Sequence, residues 1–111
     1  MKDLTRVYQE INNNMESHIK TVTQLTKSLK VAAEMGDVDK VMQFKQDIMQ
    51  EMIDAMPIGT RSCPYCAQYM PGCEDCPYME QHDKCGNPTS DYARLLEALG
   101  VVSRHILTYY P

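Results

Sequence analysis

All five cysteines of this 111-residue chain lie between residues 63 and 85, in the stretch CPYCAQYMPGCEDCPYMEQHDKC, together with one of its three histidines. Their pattern is C-x2-C-x6-C-x2-C-x8-C, with His82 three positions before the last cysteine. A C-x2-C pair can set two thiolates on one ion, because the two intervening residues turn the chain back tightly. Pro64 and Pro77 restrict those turns further. The pairs Cys63/Cys66 and Cys73/Cys76 supply four sulfurs, the number tetrahedral zinc accepts at about 2.3 Å. The hinge between them, AQYMPG, is short and implies a compact site. Cys85 and His82 are alternates, able to replace one of the four or to support them from behind. The expected metal-site residues are therefore Cys63, Cys66, Cys73, Cys76, Cys85 and His82, with Zn2+ as the first cofactor.

An iron–sulfur cluster is the alternative cofactor. Five cysteines exceed the demand of one zinc, and Tyr65, Tyr69, Tyr78, Met70 and Met79 could shield a cluster from water. A metal-free dithiol switch is a third reading, since Cys63-Pro64-Tyr65-Cys66 matches a glutaredoxin-type tetrapeptide. That chemistry needs the motif at a helix N-terminus after a strand, and no βαβ pattern precedes it. A catalytic zinc would need an open position and a placed acid or base. Glu74, Asp75, Glu80 and Asp83 are nearby, but acids in a surface loop usually serve solvation. The expectation is a non-enzymatic role.

The arrangement C-x2-C…Y…GC-x2-CP…C resembles a cysteine motif of small phage, bacterial and archaeal proteins that have no assigned function. It is carried here by Cys63, Cys66, Tyr69, Gly72, Cys73, Cys76, Pro77, Cys85 and Tyr92. In that family the last cysteine leads into a Gly-Thr-Pro-Tyr-like stretch, where this chain has GNPTSDY. The resemblance covers about a quarter of the chain and implies metal binding, without naming a function.

Helices must position this module. From Leu4 the positions Leu4, Tyr8, Ile11, Met15, His18, Val22, Leu25, Leu29 and Ala32 advance by alternating steps of four and three, widened by Val7 and Ile19. This predicts a helix over 3–35. Gly36 and Asp37 supply a stop and a new N-cap. A second helix over 38–56 carries Val38, Val41, Met42, Ile48, Met49, Met52, Ile53 and Met56 on its apolar side, and Pro57 ends it. The short connection implies an antiparallel helical hairpin. Residues 57–90, rich in proline and glycine, read as a cysteine-rich loop with at most short helical turns. Thr89 or Ser90 caps a third helix over 90–110 with Tyr92, Leu95, Leu96, Leu99, Val102, Ile106 and Tyr110 as its apolar residues. The expected fold is all-α and a single domain over 1–111: a long antiparallel hairpin plus a third helix, with the metal-binding loop between helices two and three.

Composition narrows the role. With 43% hydrophobic and 23% charged residues, the chain can build a modest core. A net charge of −4 and an acidic cysteine module speak against nucleic acid. Three lysines, Lys20, Lys27 and Lys30, read as a solvated face. No apolar run is long enough to span a bilayer, and the opening MKDLTRVYQEINNN has no signal-peptide core, so a cytoplasmic, thiol-reducing setting is expected. Nine methionines could suggest Cu(I), but Met42, Met49 and Met56 recur every seven residues, as packing or a partner-binding stripe would. His18, on the seam, reads as a hydrogen-bonded contact residue and His105 as exposed. The functional expectation is a protein-interaction or regulatory and assembly module held by structural zinc. Its partner is another protein or a second copy meeting the helical faces. The alternative is an iron–sulfur protein in electron transfer or redox sensing.

Overall fold

The computed structural model describes residues 4–59, 62–69, 76–82, 85 and 87–109. The fold is all-helical, with no strand among the described residues. Five helices follow in order: α1 (Thr5–Glu34), α2 (Val38–Asp54), α3 (Pro64–Tyr69), α4 (Pro77–His82) and α5 (Asp91–Tyr109). The three long helices are those expected from the apolar spacing. The two short ones fall inside the cysteine-rich stretch. Packing divides the chain into two compact units, Met1–Asn13 with Pro57–Gly100 and Asn14–Met56 with Val101–Pro111.

In the second unit α1 and α2 pack together. The turn between them follows from two residues. Gly36 takes φ +69°, a left-handed conformation that a residue without Cβ adopts cheaply. The Gly36 N–H donates to the Ala33 carbonyl at 3.1 Å and the Asp37 N–H to that of Ala32 at 3.0 Å, which satisfies the last carbonyls of α1. Asp37 then accepts from the Lys40 N–H at 3.1 Å and starts α2. The seam read from the sequence is the stripe that is covered. Ile11, Met15, His18, Val22, Leu25 and Leu29 are half-buried, and Ala32 is buried. Tyr8 and Ile19 stay exposed. His18 Nδ1 and the Glu51 carboxylate form a close hydrogen-bonded pair linking α1 to α2.

The inward face of α2 matches the expected one at Val41, Met42, Ile48, Met49 and Ile53, which are half-buried, and departs from it elsewhere. Val38, Met52 and Met56 are exposed, while Gln46 is buried. Glutamine amides hold α2 to the end of α5. Gln46 Nε2 donates to the Ile106 carbonyl at 3.2 Å, and Gln50 Nε2 to that of Ser103 at 3.0 Å. Ser103 Oγ returns a bond to Gln50 Oε1 at 2.7 Å. A buried amide is tolerated where its hydrogen bonds are made, and these are. Met42 and Met49 are half-buried, as a packing role requires.

In the first unit, α3 and α4 each begin on a proline directly after a cysteine. Proline suits the first helical position because its missing N–H has no intrahelical partner there and its φ is already helical. Ser90, wholly buried, caps α5 by accepting from the Ala93 N–H at 3.1 Å. No residue of α5 is fully buried, and Leu95, Leu96 and Val102 remain exposed.

Candidate metal centre

Five of the six expected ligands are among the described residues, at α3, at α4 and in the turn before α5. Cys63 precedes α3 and Cys66 is its third residue, a spacing that sets both side chains at the same end of one helical turn. Cys76 precedes α4 and is buried; its carbonyl accepts from the Met79 N–H at 3.1 Å. His82 ends α4. Cys85 occupies the turn before α5, where its carbonyl accepts from Ser90 Oγ at 3.3 Å. Cys73 lies outside the described residues, as do Glu74, Asp75 and Asp83. No disulfide joins any two of the four described cysteines.

Two tyrosines report on how the thiols are grouped. The Tyr92 hydroxyl is pushed above its ordinary value of 10.0, chiefly by desolvation and then by the charges that Cys85, Cys66 and Cys63 carry as thiolates. Tyr78 is likewise raised, first by desolvation and then by Cys85, Asp91, Cys63 and Tyr92. Cys63 and Cys85 therefore act on both phenols, and Cys66 on one of them. The grouping is loose. Among the described residues no three His, Cys, Asp or Glu side chains meet closely enough to hold an ion. A gathering of thiols around a shared phenol is one distance scale, and direct ligation is a shorter one.

No family model, curated protein or solved structure matches this chain.

The site must accordingly be read from its own side chains. The Tyr78 ring stacks on His82 with centroids 4.5 Å apart and planes 29° apart, and Tyr65 lies 6.4 Å from Tyr78. His82 Nδ1 is 2.7 Å from Asp91 Oδ2. Asp91 also pairs with Arg94 Nη1 at 3.7 Å, one turn along α5. Sequence reasoning named His82 but not Asp91. The two are separated by a turn, and only the capping of α5 at Ser90 brings its first acidic residue beside the histidine.

Two other features do not form part of this centre. In the second unit an open groove of about 340 Å3 lies between the end of α1 and the start of α2, with Val31, Ala32, Met35, Phe44 and Lys40 on its walls. His18 is engaged with Glu51, the hydrogen-bonded contact read from the sequence, and His105 is exposed as expected, its ring edge-on to Tyr109 at 5.5 Å. No helix among the described residues is long and apolar enough to cross a membrane.

Proposed function

We propose that this protein binds a structural zinc ion through its cysteine module and acts as a protein-interaction module in regulation or assembly. The observation that carries the metal reading is the pair of C-x2-C spacings, with no disulfide among the described cysteines. Reduced thiols in such pairs suit a soft tetrahedral cation. The C-x2-C spacings and the motif resemblance support the same reading. Cys73, Cys76 and His82 complete the set from which four ligands are drawn. The ion joins the turns flanking α3 and α4 to the start of α5, and so completes the three-helix arrangement of hairpin, metal loop and third helix.

Exposed apolar side chains support the interaction role. Leu95, Val102 and Tyr109 recur every seven residues on α5 and are 47%, 47% and 75% exposed. Such a stripe suits another helix, from a partner protein or a second copy of this chain. Sedimentation should give a dimer or co-purifying partner that Val102→Glu disrupts. A wild-type monomer unaffected by this change would oppose the role.

Zinc is tested by metal content. Each of Cys63→Ser, Cys66→Ser and Cys76→Ser should lose stoichiometric metal and fold less stably. Full zinc content in two of these variants would refute the ligand set.

A further inference from the structure

We propose that Cys63 and Cys66 form a reversible disulfide site, a dithiol that closes across the first turn of α3 when it meets a low-molecular-weight disulfide. The inference goes beyond the zinc reading and stands without it, because it concerns a bond between two side chains of this chain and no ion. A glutaredoxin-type catalyst needs a strand before the motif, but formation of the bond needs only two sulfurs within reach.

The reach follows from the local fold. Cys63 stands directly before Pro64, the first residue of α3, and Cys66 is the third residue of that helix. Cα atoms three positions apart over a helical turn are about 5 Å from each other, inside the window of about 4.4–6.8 Å that a disulfide spans. A residue before proline is driven out of the α region into extended backbone. From there its side chain folds over the first turn and meets that of the third helical residue, as the two members of a capping box do. Here both positions carry thiols. No disulfide joins them in this structure, which therefore describes the reduced pair. Both cysteines are half-buried, and Pro64 and Tyr65 between them are exposed, so the turn is open to a small oxidant. Cys76, by contrast, is buried, and Cys85 stands in another turn whose carbonyl is held by Ser90.

The chemistry is thiol–disulfide exchange. One thiolate of the pair attacks a sulfur of the small disulfide, which forms a mixed disulfide and releases one small thiolate. The other cysteine then attacks the mixed bond and expels the second. Two cysteine thiols are oxidised, one small disulfide is reduced to two thiols, and the two cysteine protons end on the released sulfurs.

The test places the full chain, purified without oxygen, in glutathione redox buffers with and without a chelator, and then alkylates the remaining thiols. Cyanogen bromide cuts after Met56 and Met70, and the fragment between them carries Cys63 and Cys66 as its only cysteines. Mass spectrometry should find that fragment two hydrogens lighter and with both alkyl groups lost, and a reductant should restore both. Cys66→Ser should instead carry one glutathione at Cys63. The native chain should close at a lower share of glutathione disulfide than the denatured chain, because α3 holds the two positions facing each other. A fragment that stays doubly alkylated even with the chelator, one joined to Cys73, Cys76 or Cys85, or equal closure in the native and denatured chains would overturn the inference. Zinc content of the same samples separates the two readings. A chain that holds zinc yet stays doubly alkylated after chelation overturns this inference alone, and a zinc-free chain that closes overturns the metal reading alone.

Discussion

Ser90 is completely buried, and its single hydroxyl makes two bonds: it accepts from the Ala93 N–H at the start of α5 and donates to the Cys85 carbonyl. It thereby fixes both where α5 begins and where the last cysteine stands. Removing an N-cap hydroxyl costs about 0.5–2 kcal/mol, and here the bond to the Cys85 carbonyl is lost with it. Ser90→Ala should lie at the upper end of that range, about 2 kcal/mol, in urea unfolding. The phenols give a second expectation at this scale. Tyr78 and Tyr92 hold their protons above 10.0, so the folded state binds more protons than the unfolded state in that alkaline window. Their contribution is complete below the unfolded value and is lost as pH rises through the folded one. Stability of the metal-free protein should therefore fall above pH 10, and Tyr92→Phe should flatten the fall. An identical alkaline slope in the variant would mean that Tyr92 does not hold its proton more tightly in the folded state.

Among the elements, the turn between α1 and α2 allows the cleanest test, because nothing lies within 4 Å of a Cβ built on Gly36. Gly36→Ala meets no clash, so its cost is the left-handed backbone alone, about 1–2 kcal/mol. On α2, Gln50→Ala removes the amide that bonds Ser103 twice and should cost about 1–3 kcal/mol by the same unfolding measurement. These elements also separate what the sequence displays from what it hides. The seam of α1 was legible residue by residue from Ile11 to Ala32, because a long helix with one covered side repeats every three or four positions. The N-caps Asp37 and Ser90 were legible from side-chain chemistry. The face of α2 was legible only in part: Val41, Met42, Ile48, Met49 and Ile53 are half-buried as expected. Methionine and valine read as core, yet Val38 and Met52 face solvent, while Gln46 is buried because α5 offers it a carbonyl. A glutamine carries no mark in sequence of the acceptor it will meet. The same holds at the candidate site: the cysteine spacing picks out candidate ligands, whereas nothing in the sequence marks Asp91 as the partner of His82.

At the scale of the whole molecule, the two compact units rest on different chemistry. The second is held by the α1 seam, the His18–Glu51 pair and the glutamine bonds to α5. The first holds the cysteines, and its buried residues are Val7, Cys76, Ser62 and Ser90 among the described residues. Metal coordination supplies free energy directly to folding, so the zinc reading places its stabilisation in this unit. Chelation should therefore raise hydrogen exchange in α3, α4 and the first half of α5 well before it does so in α2. Equal loss of protection throughout would mean that the ion, if bound, does not act on this unit. The measurement that bears most directly on the account is the metal content of the wild-type protein purified without oxygen. A colourless protein carrying about one zinc per chain is the expected result; a chain with no stoichiometric metal, or a brown one holding iron and sulfide, would contradict it.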